Sequence, residues 1–342
     1  MPLEFSSQQE ALDDAIMHLI DRLGGSPNSD LIKEMIITAL RFAQDKATRG
    51  DLKIVNSALR ELRYAFKTFQ PFRHYRKVSI FGSARIHEGD PAFEMAQEFA
   101  RQIREKGFMV ITGAGEGIMK AGHLGAGPEY SFGVNIRLPF EQAANEIIQR
   151  DPKLVTFKYF FTRKLVFVKE ADAFAMFPGG FGTHDEGYEV LTLLQTGKSD
   201  PMPIVFIDVP GADYWKRWRD FVEEWLVRRG LISAQDMHLF RVTDRIEEAV
   251  EEISSFYRNY HSSRYVDGVL VIRLQRPPSL EGLRKLNLEF QDLLTQGEIL
   301  ASDPLPAEAN EPEIAQLPRL LLHFNRQDFG QLRQLIDALN KF

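Results

Sequence analysis

The sequence contains no cysteine, no apolar run near the ~20 residues that a membrane-spanning helix needs, and no excess of positive charge. Without thiols there are no disulfides, no thiolate metal ligands and no thiol nucleophile, so any chemistry falls to other side chains. That absence fits a reducing compartment. Acidic residues number 48 against 42 basic ones, a net charge of -6, which removes any wholesale attraction to nucleic acid or to an anionic membrane. An anionic ligand would need a local concentration of positive charge. The eight histidines are scattered, and neither H-E-x-x-H nor G-x-S-x-G occurs, so no metal and no serine triad is expected. The opening Met1-Pro-Leu-Glu-Phe has no basic start leading into an apolar run, so a cytoplasmic location is the expectation.

Three kinds of patterning follow one another along the 342 residues. Residues 1–74 carry helical periodicity. Leu12, Ile16, Leu19, Ile20 and Leu23 lead to Gly24-Gly25, and the spans 31–47 and 52–69 continue in the same manner. This is expected to be a helical arm whose apolar stripes are core rather than a docking face. From 75 to 260, short apolar runs alternate with helical stretches. The runs are Val78–Phe81, Phe108–Thr112, Ser131–Ile136, Leu154–Phe157, Ala173–Phe177 and Pro203–Ile207. Continuous apolar strands between helices predict a doubly wound, Rossmann-like α/β domain with a parallel sheet buried on both faces. Residues 261–342 predict a small α+β appendage. It contains a loop rich in proline and acid around Pro304, Pro306, Pro312 and Pro318.

In a doubly wound sheet ligands bind beyond the carboxyl ends of the strands, which directs the search to the strand-to-helix loops. Phe177-Pro-Gly-Gly-Phe-Gly-Thr-His-Asp-Glu186 places three glycines before a helix, where backbone amides and the helix dipole favour a phosphate. Thr183-x-x-Glu186 in this loop also fits a capping box, which by itself would make Glu186 a cap. A second loop, Thr112-Gly-Ala-Gly-Glu-Gly-Ile-Met119, lacks the G-x-G-x-x-G spacing of a dinucleotide site and suits a mononucleotide better. A third, Phe161-Thr-Arg-Lys-Leu165, lies in a segment, 151–170, with five basic residues against two acidic ones, a local +3. Its Arg163 offers a planar fork and Lys164 a point charge. The first turn, Phe81-Gly-Ser-Ala-Arg85, adds Ser83 and backbone groups.

These motifs resemble the Lonely Guy (LOG) family, whose members were long labelled lysine decarboxylases. Pro178-Gly-Gly-Phe-Gly-Thr-His-Asp-Glu186 matches the family's P-G-G-x-G-T-x-x-E signature, and Arg163-Lys164 stands where the family carries an Arg-Lys pair. The extended ends look like those of the longer bacterial members. The resemblance covers roughly residues 75–260. It implies a homo-oligomer that hydrolyses the N-glycosidic bond of nucleoside 5′-monophosphates, AMP or cytokinin riboside 5′-monophosphates, to free base and ribose 5-phosphate without a cofactor.

By that resemblance Glu186 would be the catalytic carboxylate and Arg163 its partner. Gly179, Gly180, Gly182 and Thr183 would hold the 5′-phosphate, Ser83, Gly113, Gly115 and Met119 would line the nucleoside pocket, and Lys164 would assist anion binding. Ala114 with Glu116 departs from the plainer G-G-G-x-G loop of many members, and Glu116 would bring a negative charge near the ligand, which bears on base preference. The expected partners are the nucleotide and a second copy of the chain, with no nucleic acid and no membrane. A catalytically silent nucleotide sensor using the same loops is the competing expectation. Decarboxylation is not expected, since no lysine has the context of a pyridoxal phosphate Schiff base.

Overall fold

A computed structural model describes residues 2–139 and 143–342. It divides into two compact units, residues 1–60 and 61–342. Three helices, α1 (Pro2–Arg22), α2 (Ser29–Gln44) and α3 (Arg49–Phe69), occupy the first stretch, and the division falls inside α3. The apolar stripes of the first unit are only partly core. Ile16 and Ile20 on α1 are buried, whereas α2 buries none of its residues and leaves Leu31, Met35 and Leu40 exposed. From Glu61 onward α3 belongs to the second unit. There Ala65 and Phe69 are buried, and the Phe69 ring stacks on Phe132 at 4.2 Å between centroids.

The second unit continues with β1 (Lys77–Phe81), α4 (Pro91–Glu105), β2 (Met109–Thr112), α5 (Ile118–Ala126), β3 (Ser131–Ile136) and β4 (Leu154–Phe157). Then come α6 (Phe160–Glu170), β5 (Ala173–Met176), α7 (Phe181–Gln195), β6 (Ile204–Ile207), α8 (Tyr214–Phe221), β7 (Arg241–Thr243) and α9 (Ile246–Phe256). The seven strands form one parallel sheet in the order β4-β3-β2-β1-β5-β6-β7, the α/β architecture the sequence pattern predicts.

Strand β5 shows why apolar runs rather than alternation mark this sheet. Ala173 and Ala175 pack beneath α4 and α9 on one face, while Phe174 and Met176 meet α6 and α7 on the other. Close helix packing depends on small residues too. A methyl group on Gly125 of α5 would lie 2.0 Å from the Gln97 carbonyl of α4.

The chain winds from β1 to β4 in one direction and returns to β5 on the other side of β1. The loops leaving β1 and β5 therefore diverge, and a crevice opens at their carboxyl ends.

After α9 a smaller antiparallel sheet has the order β10-β11-β9-β8, from β8 (Tyr260–Val266), β9 (Val269–Leu274), β10 (Leu300–Ser302) and β11 (Arg319–Leu322). Helices α10 (Leu280–Glu289) and α11 (Phe329–Leu339) complete it, and Leu332, Leu335, Ile336 and Leu339 join its core. The Pro-rich loop is held by charge. Glu308, fully buried, pairs with Arg273 at 2.6 Å and Arg319 at 3.3 Å on adjacent strands. No helix among the described residues is long and apolar enough to cross a membrane.

Candidate active site

The crevice at the β1/β5 switch point is a cleft of about 740 Å³. Its lining joins Ser83, Met119, Arg163, Gly179, Gly180, Gly182, Thr183 and Glu186, contributed by four separate loops and helix starts. Hydrogen bonds lock three of these together. Ser83 donates its amide to the Pro178 carbonyl at 3.1 Å and accepts from the Ile118 amide at 3.1 Å through its own carbonyl. Gly117 is required at that junction. Its φ is +65°, and a side chain there would lie 2.3 Å from the Ser83 carbonyl.

Helix α7 begins at Phe181, with Gly180 at its N-cap and no side chain capping it. Thr183 therefore lies within the helix rather than at its cap. The capping-box expectation fails, and Glu186 is released from that role. Its carboxylate is buried, and Oε2 has no hydrogen-bond partner.

The glycines of the loop divide by cause. A methyl on Gly179 would lie 2.1 Å from Thr183 Oγ1, so this glycine answers to internal packing. Gly180 and Gly182 have nothing within 4 Å of such a methyl, and neither has a left-handed φ. Nothing within the chain requires them to be glycine. Their bare backbone borders the cleft at a helix N-terminus, whose first amides have no intrahelical acceptors.

The charged residues come from α6 and α7. Arg163 Nε donates to the Val134 carbonyl at 2.9 Å, and its guanidinium lies so close to Gly113 that a methyl there would be 2.4 Å away. Lys164 Nζ sits 2.6 Å from Glu189, 2.9 Å from Asp185 and 3.4 Å from Glu186 Oε2. The local +3 of the sequence is thus largely engaged within the chain, since Lys153 and Lys169 also pair with Asp151 and Glu170.

Burial raises the Glu186 carboxyl to about 7, against the opposing pull of Lys164 and Arg163 and with added repulsion from Glu189 and Asp185. Burial lowers Arg163 to about 10, which leaves it charged at neutral pH, and Glu186 acts in the opposite sense. Burial also works against the Lys164 charge, but Glu189, Asp185 and Glu186 outweigh it and hold the ammonium above the usual lysine value.

Three residues named from the sequence lie off the lining. Gly113 packs behind Arg163 and Met119, Gly115 holds the Asn145 amide through its carbonyl at 2.8 Å, and Lys164 faces the carboxylates. Glu116 is exposed and directed to Lys120, which also binds Glu88 and Glu146 at 2.8 Å, so its charge is removed from the cleft.

Other supporting residues are invisible to motif reading. Buried His123 bonds Thr112 Oγ1 at 3.0 Å and the Phe132 carbonyl at 3.1 Å, and with Asn145 it braces the loop 112–117. Burial pulls the His123 imidazole below its usual value, consistent with a neutral ring in that network. His184 is half-buried; it bonds the Tyr214 hydroxyl at 2.7 Å, and that hydroxyl donates to the Gly179 carbonyl. No group of three or more potential metal-ligating side chains occurs among the described residues.

A family model described as "possible lysine decarboxylase" matches residues 114–253. A probable cytokinin riboside 5′-monophosphate phosphoribohydrolase of Oryza sativa subsp. japonica, LOGL2, is 25% identical over 232 residues, covering 59% of this chain and 90% of its own. The Arabidopsis thaliana LOG1 enzyme of the same name is 32% identical over 94 residues, covering 28% of this chain and 42% of its own. Among solved structures, the molybdenum cofactor binding protein from Rippkaea orientalis is 16% identical with a TM-score of 0.38, over 52% of this chain and 94% of its own. In its signature loop, its Arg-Lys pair and the match over residues 114–253 the chain is similar to the LOG family.

Proposed function

We propose that this protein hydrolyses the N-glycosidic bond of nucleoside 5′-monophosphates, AMP or cytokinin riboside 5′-monophosphates, to free base and ribose 5-phosphate. The observation that carries the reading is the meeting, in one cleft, of a buried carboxylate, Glu186, whose Oε2 makes no hydrogen bond, with glycines that nothing in the chain requires. The backbone bared at Gly180 and Gly182, with Gly179 and Thr183, receives the 5′-phosphate at the start of α7. Ser83 and Met119 border the nucleoside. Phe160 and Phe181, exposed to 52% and 97% at the rim, offer flat faces to the base.

Cleaving a ribosyl–base bond builds positive charge on the sugar. An ionised Glu186 stabilises that charge and orients or deprotonates the attacking water. Arg163, fixed against Val134, keeps Glu186 company as a counter-charge and positions ribose or phosphate oxygens. Lys164 supports anion binding by offsetting part of the charge of the carboxylate cluster it faces. The phosphate, far from the breaking bond, supplies positioning energy.

The exposed Phe160, Phe161 and Leu165 of α6 support a homo-oligomer, which light scattering at micromolar concentration tests. The activity is tested by incubating purified protein with AMP and following adenine and ribose 5-phosphate. Nucleotide binding without turnover across a substrate panel would instead make it a sensor.

A further inference from the structure

We infer that Glu61 is a positioning residue for this reaction: from α3 its carboxylate clamps the start of α6 and so keeps Arg163 in place across the cleft. The inference rests on the hydrolase reading above. Glu61 Oε1 accepts the Lys158 amide at 3.0 Å, and Oε2 accepts the Thr162 hydroxyl at 2.6 Å. These two donors bracket the first turn of α6, whose own N-cap residue, Tyr159, contributes no side-chain cap. A carboxylate is suited to that place, because helix N-termini carry unpaired amides and a partial positive charge.

Thr162 is buried and precedes Arg163 directly. Arg163 is wedged, with Nε on Val134 and its terminal nitrogen against Gly113 and close to where Met119 packs. A small shift of α6 therefore cannot be absorbed by the guanidinium; it must lose the Val134 bond or collide with Gly113. Misplacement of a positioning group by about 1 Å is worth up to ~100-fold in rate. Glu61 lies about a hundred residues before its partners, 97 and 101 positions away, and neither it nor those partners line the cleft.

The test is a double-mutant cycle on kcat/KM for AMP, joined to a titration that needs no turnover. Glu61→Ala is expected to lower kcat/KM about 10- to 100-fold in the wild-type background and less than about 2-fold in Arg163→Ala. Glu61→Gln, which keeps an accepting oxygen at the same reach, stays within about 3-fold of wild type. Should Glu61→Ala unfold, Glu61→Asp, which keeps the charge and loses the reach, carries the same expectation.

The carboxyl of Glu186, faced by Arg163 and Lys164 from α6 and by Asp185 and Glu189 on α7, is followed by 13C NMR. Its midpoint, about 7 in the wild type, rises in Glu61→Ala as Arg163 withdraws. Equal losses in both backgrounds, or an unmoved midpoint in a folded Glu61→Ala, would overturn the role of Glu61. A wild-type protein that leaves every nucleoside monophosphate intact would refute the hydrolase reading, while the titration still decides whether Glu61 positions Arg163.

Discussion

Lys164 Nζ lies 3.4 Å from Glu186 Oε2, nearer to Glu189 at 2.6 Å and Asp185 at 2.9 Å, so one ammonium is shared among three carboxylates. Glu186 is the most buried of them and makes no hydrogen bond through that oxygen. Removing the ammonium leaves three negative charges with Arg163 as the nearest remaining cation. Lys164→Gln should therefore move the Glu186 midpoint upward from about 7, and with it the acid limb of the activity profile. An unchanged limb would show that Lys164 does not control this carboxylate.

Activity that depends on the Glu186 anion rises with pH. The kcat/KM profile for AMP is expected to climb with a midpoint near 7 and to level off above it. Stability runs the opposite way. The folded-state value lies above the ordinary 4.5, so the native chain holds this proton more tightly than the unfolded chain does. The stabilisation is complete below pH 4.5 and is lost as pH rises through 7. It is worth on the order of 3 kcal/mol. Thermal unfolding of wild type and Glu186→Gln across that range should converge at low pH, with the glutamine variant the more stable at pH 8.

The glycines offer a contrast that separates packing from binding. Gly180→Ala and Gly182→Ala have room for the methyl and should change stability by no more than about 0.5 kcal/mol, yet weaken AMP binding more than about 10-fold. Gly179→Ala meets Thr183 and should destabilise the fold itself. Calorimetric affinities set beside melting temperatures check both halves. Tight AMP binding by Gly180→Ala would remove the phosphate from this loop.

Tyr214 holds the Gly179 carbonyl and in turn meets His184 at 2.7 Å. Tyr214→Phe releases that carbonyl, and a lost hydrogen bond of about 1 kcal/mol corresponds to roughly a 5-fold rise in the AMP dissociation constant. The acid limb near 7 should stay where it is, because Glu186 is untouched. A shifted limb would mean that the relay reaches the carboxylate.

The parallel sheet was legible because its strands are short apolar runs separated by helices; every strand from β1 to β6 falls within a residue or so of its pattern. Strand β7, Arg241-Val-Thr243, is too short and polar to stand out, and β8 carries His261-Ser-Ser-Arg264 on a surface that is only half covered. The two-residue turn Asp267-Gly268, both at positive φ, is nonetheless a hairpin signal between β8 and β9.

At the site, the glycine loops and Arg163 named from the sequence lead to the cleft, whereas Lys164, named with them, lies off its lining. Thr183-x-x-Glu186 misleads, because the same spacing serves a capping box or a helix interior, and only the position of Gly180 decides. Glu61, Asn145 and Tyr214 leave no local trace. Their partners at Thr162, Gly115 and Gly179 are tens of residues away, and only the packed fold joins them.

Adenine release from AMP by wild type and Glu186→Gln at pH 8, with AMP affinity measured in parallel, tests the assignment of Glu186 most directly. Wild type should yield adenine and ribose 5-phosphate in equal amounts. Glu186→Gln should bind AMP within about 3-fold and turn over about 100- to 1000-fold more slowly. Recovery of intact AMP from the wild-type complex, or adenine release by Glu186→Gln at the wild-type rate, would contradict it.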